Sequence, residues 1–367
     1  MARASIYWRD PLGLTPDHLS GWQSSIELST GAIVSMRTPF SRRARYRAET
    51  AAHARPLLAQ LDQLEAKAEE GFLQIDEQHR LMVKHPTRVL WPRLGITIVD
   101  VMRYYVAMAP ALLPHTKDRP LSFRRFAEGI TGPSQFHQRI KWPTPPGVRA
   151  ASFSGKGKRF ETRLVAGDLT TLLYCVNLSI ISQDVWLSRI DQPDSPDYAV
   201  FDLDPSASVP FKHVVDVAWR LHELLGEHGV PHGVKTSGVS GLHIYVPVMN
   251  TDYRTTRMFV TQFESRVAGE CPDLATLTRT IQQRGKRVYL DPDQNMRAKT
   301  MSAPYSLRHS GFAGVSAPLT WDELRRGATP QDFTIFTMPD RLRAVGDVWK
   351  SLAQQPLDLG QLSHEAA

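Results

Sequence analysis

Phe201-Asp202-Leu203-Asp204-Pro205 is the stretch on which the reading of this chain turns. Alternate side chains of an extended strand share a face. Asp202 and Asp204 therefore point one way, and Phe201 and Leu203 point the other way into a core. Two carboxylates repeating along one face repel each other unless a cation lies between them. Hard oxygen ligands at that spacing suit Mg²⁺ or Mn²⁺ carrying phosphate groups. A solvated strand end carries the same pair, so the surrounding sequence has to decide.

Working outward, the chain of 367 residues has room for two domains or one large composite domain, and 42% hydrophobic residues supply a full core. A formal net charge of +7 favours a polyanionic partner, nucleic acid first. The two cysteines, Cys175 and Cys271, form no C-x-x-C pair, which argues against a disulfide framework and a zinc site and fits a reducing cytoplasm. No apolar segment follows the first five residues, and the longest apolar stretch, around Leu172–Ile181, is too short to span a bilayer. A cytoplasmic protein with no membrane partner is expected.

Residues 1–80 read as a separate N-terminal extension. It carries a basic run (Arg37, Arg42, Arg43, Arg45, Arg47) and then a helix from about Pro56 to Glu70 with Leu57, Leu61, Leu64 and Ala68 on one stripe. A second helix starts after Thr97, where Asp100 three residues on completes a capping box, and Val101, Tyr105, Met108 and Leu112 follow at helical spacing. Ser154–Lys158 reads as a hairpin tip, because it lacks the spacing of a phosphate-binding P-loop. Leu169–Trp186 reads as one buried helix. From residue 198 the pattern is a strand with Asp202 and Asp204, a helix at Phe211–His228, a strand at Leu242–Val248, a helix near Thr255–Ala268 and a strand at Arg287–Asp291. That is a mixed α/β palm.

Two further constellations join the aspartates. Thr236–Tyr245 is a turn entering a strand; Gly238 and Gly241 allow close backbone approach, Ser237 and Ser240 offer hydroxyls, and His243 and Tyr245 share a strand face. Asp291 ends a strand that Pro292 prevents from continuing, and Gln294-Asn295, Lys299-Thr300 and Ala303–Arg308 follow. Three aspartates, a Gly/Ser turn with His and several cations are what two-metal nucleotidyl transfer requires.

These stretches, with Arg88–Pro92, Tyr104-Tyr105, Leu113–His115 and Arg119–Leu121, resemble the polymerase domain of bacterial DNA ligase D, in the archaeo-eukaryotic primase superfamily, over roughly residues 83–345. The resemblance implies an α+β fold with a mostly antiparallel, RRM-like palm sheet flanked by helices. It implies template-directed nucleotide addition in end joining or gap filling, with Mn²⁺ or Mg²⁺ as cofactor, two ions per site. The substrates would be gapped or broken DNA and a ribo- or deoxynucleoside triphosphate. By position it makes Asp202, Asp204 and Asp291 the catalytic, metal-binding residues. Ser237, His243, Lys299 and Arg308 match nucleotide-binding positions, while Phe136, His137 and Arg88 match positions that contact DNA. It further implies residues 81–350 as the polymerase domain, split into 81–197 and a palm at 198–315, with a tail at 351–367.

The chain departs from that pattern at several points. Arg88 replaces a lysine and Ile98 stands for a second lysine of a 5′-phosphate pocket; Ser240 replaces a lysine in the turn; His137 replaces a stacking aromatic. Gln183-Asp184 lie where a histidine is usual, and Pro292 follows Asp291. No K-x-D-G adenylation motif occurs, so a stand-alone polymerase working with a separate ligase and end-binding protein is expected. A catalytically silent DNA-end or gap-binding module shares the same residues, as does a two-metal nuclease, although a nuclease has no use for a triphosphate turn.

Overall fold

The computed structural model describes residues 54–154 and 160–360. The basic run at Arg37–Arg47, the hairpin tip and the last residues of the tail lie outside them.

Helix α1 (Arg55–Lys67) opens the described chain and turns its leucines inward. A hairpin of β1 (Gly71–Gln74) and β2 (Arg80–Val83) follows, then a short ribbon of β3 (Val89–Trp91) and β4 (Ile96–Thr97). Thr97 caps α2 (Ile98–Thr116) as its sequence predicts. Its Oγ1 accepts from Asp100 N at 3.3 Å, and Asp100 Oδ2 accepts from Thr97 N at 3.0 Å. The expected apolar stripe on α2 is wider than its spacing suggests: the helix is buried on nearly every side, between α1 and the helix α3 described below.

The expected boundary near residue 80 is not a gap in packing. Leu57, Leu58 and Leu61 of α1 belong to the same apolar core as α2 and the palm strands. Arg103 on α2 is 1% exposed and reaches Asp62 and Glu65 of α1, both at 2.7 Å, and its own Asp100 at 3.2 Å. A charge that deep requires such partners.

Strands β5 (Leu121–Arg125) and β6 (Gln135–His137) pair, as do β7 (Ala150–Ser154) and β8 (Phe160–Leu164), which flank the expected hairpin tip. The stretch expected as one helix to Trp186 divides. Helix α3 (Leu169–Asn177) stops where the Asn177 side chain is drawn to Lys84 N and Met82 O, at 2.8 and 2.9 Å. Ser179 then takes a left-handed φ of 60°, and Asp184–Trp186 form β9. Two tertiary hydrogen bonds outweigh helical propensity here.

The palm comprises β10 (Tyr198–Pro205), α4 (Phe211–Glu227), β11 (Gly233–Thr236), β12 (Leu242–Met249), α5 (Tyr253–Glu270), β13 (Ala275–Thr276), the short helix α6 (Ile281–Arg284) and β14 (Val288–Leu290). After β14 come β15 (Thr300–Ser302) and β16 (Pro318–Leu319), then a late strand β17 (Leu357–Asp358). The sheet runs β13-β14-β10-β12-β11-β16, with β17 beside β12. β10 is antiparallel to both β12 and β14, so the palm is mostly antiparallel, as the primase-type fold requires. Phe201 faces α5, edge-on to Phe259 and Phe263. A second sheet, β15-β9-β5-β6, lies alongside. No helix among the described residues is long and apolar enough to cross a membrane.

Candidate active site

Alternation along β10 sends Phe201 and Leu203, both fully buried, to the helix side and Asp202 and Asp204 to the other. Register does the rest. Asp202 stands opposite His243 on β12, and Leu203 stands opposite Leu290 on β14. Asp291, next after Leu290, therefore falls beside Asp202, and its N–H donates to the Asp202 carbonyl at 3.3 Å. Three aspartates distant in sequence thus meet on neighbouring strands.

Each carboxylate is held by a different partner. Asp202 Oδ1 lies 3.3 Å from His243 Nε2, and Asp204 Oδ2 lies 3.3 Å from Arg284 of α6. Asp291 accepts from Tyr289 OH at 3.1 Å, Asp293 N at 3.2 Å and Gln294 Nε2 at 3.3 Å. As they stand, no three His, Cys, Asp or Glu side chains among the described residues are gathered to hold one ion. The backbone brings the aspartates together while each side chain is engaged by its own partner, so a shared cation requires them to leave these partners. The donor chemistry, three carboxylates on one face, fits a hard divalent ion.

Electrostatics agrees with this fit. Burial and the Asp202 charge push both Asp204 and Asp291 above the usual carboxylate range. Arg284 pulls Asp204 back, and Tyr289 with Lys299 pulls back Asp291. Asp202 is also raised by burial, but the His243 hydrogen bond and the nearby Lys235 and Arg308 charges bring it below the usual range.

The Gly/Ser turn sits beside these strands. Ser237 Oγ accepts from Val239 N at 3.2 Å and Gly241 N at 3.0 Å, leaving its own O–H to donate outward. Gly238 has φ 79°, and a Cβ there would lie 2.5 Å from Arg308 Cγ. A Cβ on Gly241 would lie 2.3 Å from the Leu203 carbonyl, so glycine lets the turn close directly on the aspartate strand. Arg308 in turn lies 3.6 Å from Asp184 on β9, and its Nε is buried with no hydrogen-bond partner among the described residues. Ser237, His243 and Arg308 therefore surround one side of the aspartates, and Lys299 acts on Asp291 from the other.

The expected DNA-binding residues lie off the palm sheet. Phe136 on β6 is 53% exposed and free to stack, with the Arg124 guanidinium 5.8 Å from its ring centre. His137, expected as its stacking companion, points the opposite way. It stacks on Phe123 at 5.4 Å and abuts Trp142, so it is taken up by packing. Arg88 enters β3 half-buried, and its carbonyl accepts from Ile98 N at 2.9 Å. The Ile98 side chain is fully buried, which removes that position from any phosphate pocket.

Lys235 and Arg284 escaped the sequence reading, while Asn295, which it named beside Asp291, has a structural task. Lys235 on β11 is fully buried, its Nζ 2.7 Å from His243 Nδ1 and hydrogen-bonded to Ser316 Oγ. An anionic Asp202 only accepts, so His243 carries its proton on Nε2 and takes the lysine's hydrogen bond at Nδ1. Burial and Lys235 push His243 down to about 4, which keeps the ring neutral. A lone lysine between Val234 and Thr236 was the available signal. Arg284 was signalled by the basic run Arg284-Gly285-Lys286-Arg287. Asn295 clamps β10 through its amide, to Val200 N at 2.8 Å and Val200 O at 2.7 Å. The 3₁₀ turn that Pro292 starts carries it there.

Comparison with known proteins follows the same lines. The Multifunctional non-homologous end joining protein LigD of Mycolicibacterium smegmatis is 28% identical over 279 residues, 75% of this chain and 36% of that protein. The Bifunctional non-homologous end joining protein LigD of Bacillus subtilis is 29% identical over 276 residues, 74% of this chain and 44% of that protein. The chain thus spans less than half the length of either. A solved structure, the polymerase domain from Mycobacterium tuberculosis ligase D in complex with DNA, superposes with a TM-score of 0.71 at 28% identity, covering 77% of this chain and 100% of that one. Residues 97–349 match the LigD primase-polymerase domain, and the chain belongs to that family.

Proposed function

We propose that the chain is a metal-dependent nucleotidyltransferase that extends a DNA strand by template-directed addition, filling gaps or building on broken ends in bacterial non-homologous end joining. The observation that carries this reading is the meeting of Asp202, Asp204 and Asp291 on neighbouring palm strands beside the Ser237–Gly241 turn, His243 and Arg308. The relatives are named as non-homologous end joining proteins, and the M. tuberculosis domain was solved with DNA.

Asp202, Asp204 and Asp291 would hold two Mn²⁺ or Mg²⁺ ions, which when bound supply Lewis-acid activation of the 3′-hydroxyl and charge stabilisation of the leaving pyrophosphate. Asp204 gives up Arg284 and Asp291 gives up Tyr289 and Gln294 to do so. Ser237 and the turn's backbone N–H groups donate to phosphate oxygens. Arg308 and Lys299 offset negative charge on the triphosphate, and His243, held neutral and oriented by Lys235, presents its Nε2–H. Phe136 stacks on a template-side base, and Arg88 contacts a downstream phosphate. A ligase activity and an end-binding protein, in the cytoplasm on the nucleoid, complete the repair.

Primer extension on gapped duplex DNA tests this, with Mn²⁺ or Mg²⁺, each set of ribo- and deoxynucleotides, and a 5′-phosphate present or absent. Incorporation that Asp202→Ala abolishes is expected. Tight gap binding with no incorporation under any combination would leave the silent DNA-binding reading in its place.

A further inference from the structure

We propose that the groove between the start of α5 and Met296-Arg297 carries the sugar–phosphate backbone of the strand whose 3′ end is extended. This rests on the polymerase reading and adds a binding track for one specific strand.

The groove has a volume of about 330 Å³ and is lined by Tyr253, Arg254, Arg257, Met258, Met296 and Arg297. Its floor is apolar, since Met258 is 55% and Met296 43% exposed. Thioethers left open between guanidinium groups suit a ligand with both sugar and phosphate surface. Arg254 is exposed, and no carboxylate among the described residues lies within ion-pair distance of it. Arg257 is fixed on Asp293 at 2.7 Å, with Arg279 at 3.7 Å from the same side chain.

The cations continue beyond the groove. Arg297 is paired with Asp194 and lies 5.5 Å from the Trp186 ring centre, which Arg163 also covers at 5.0 Å. Burial lowers the Arg163 pKa and Glu161 opposes this, with Arg297 and Arg139 adding to the lowering. Arg163 and Arg139 share Glu161, at 3.3 and 3.5 Å, so the guanidinium groups near the groove have only a few carboxylates between them, and a polyanion would add to that neutralisation.

Sheet order identifies the strand. Across β14-β10-β12-β11, Asp291 lies on one side of Asp202 and Asp204, and the Ser237–Gly241 turn lies on the other. A triphosphate held at the turn leaves the Asp291 side for the attacking 3′-hydroxyl. Asp293, which holds Arg257 in the groove wall, is two residues past Asp291. The groove therefore begins where the extended strand has to arrive, away from the incoming nucleotide.

The test uses the full chain without nucleotide. Binding of labelled primer–template DNA is followed by fluorescence anisotropy over a range of salt concentrations. Arg254→Ala combined with Arg297→Ala is expected to reduce the salt slope by about two units, one per lost phosphate contact. The paired lysine substitutions keep the charge and should restore the slope, which separates lost contacts from a lost fold. In parallel, 4-thiothymidine placed a few nucleotides upstream of the primer 3′ end should crosslink to the peptides carrying Met258 or Met296. An unchanged affinity and slope in the double alanine variant, or crosslinks to these peptides from the template strand alone, would overturn the proposal. Neither readout needs incorporation. Primer crosslinks in a chain that extends nothing would keep the track and remove the polymerase reading, whereas extension without them would do the reverse.

Discussion

Two buried cations of this molecule are used in opposite ways. Arg103 is closed off by Asp62, Glu65 and Asp100, and although burial pulls its pKa down, the carboxylates raise it overall. Lys235 is at least as deep, but its neighbours are a neutral imidazole and a serine hydroxyl. Burial and the Arg308 charge push its pKa well below the ordinary lysine value. Arg103 fastens one helix to another. Asp202 and Asp184 act on Lys235 only through space, without forming an ion pair, and it stands behind a phosphate-type turn, which is the condition of a group that gains when an anionic ligand arrives.

The comparison can be broken in several ways. The largest effect is expected at the aspartates: Asp202→Ala should lower primer extension by on the order of 10³-fold or more, with DNA binding retained in a gel-shift assay. Arg103→Met should cost about 3–5 kcal/mol in denaturant unfolding, because three carboxylates lose a guanidinium partner in the core. Activity per folded molecule should be unchanged. Lys235→Met should do the reverse, lowering incorporation by about 10²-fold while changing unfolding stability by less than about 1 kcal/mol. If Lys235→Met unfolds the protein as Arg103→Met does, the two cations are alike and the distinction fails.

Glu264 on α5 sharpens the contrast from the acidic side. It is fully buried, and neither carboxyl oxygen has a hydrogen-bond partner among the described residues. Burial raises its pKa well above the ordinary glutamate value, and Asp202, Asp291 and Asp293 raise it further. The folded state then holds a proton that the unfolded state releases. Its contribution to stability is complete below the unfolded pKa and is lost as pH rises towards the folded one, at up to about 1.4 kcal/mol per pH unit. Glu264→Gln should flatten that decline when unfolding free energies of the two proteins are compared across pH. Parallel pH curves would show the carboxyl to be paired.

Much of this was legible in the sequence where side chains alternate or cap. The period of β10 put Asp202 and Asp204 on one face, and Thr97 with Asp100 located the start of α2. Features decided by distant partners were not legible. Asn177 ends α3 because it bonds to residues near position 83, and His137 turns inward because Phe123 and Trp142 wait there. Lys235 gains its meaning only from register, which sets it opposite His243. Alternation tells which face a residue takes, while the partner across the ladder is set by how the Ser237–Gly241 turn closes.

The missing side chain at Gly241 has a consequence of its own. With the turn resting on the Leu203 carbonyl, the segment that would grip phosphates and the strand that would grip cations form one mechanical piece. Whatever settles on one shifts the free energy of occupancy at the other. Thermodynamic linkage makes that help mutual, so each guest should tighten the other by the same factor.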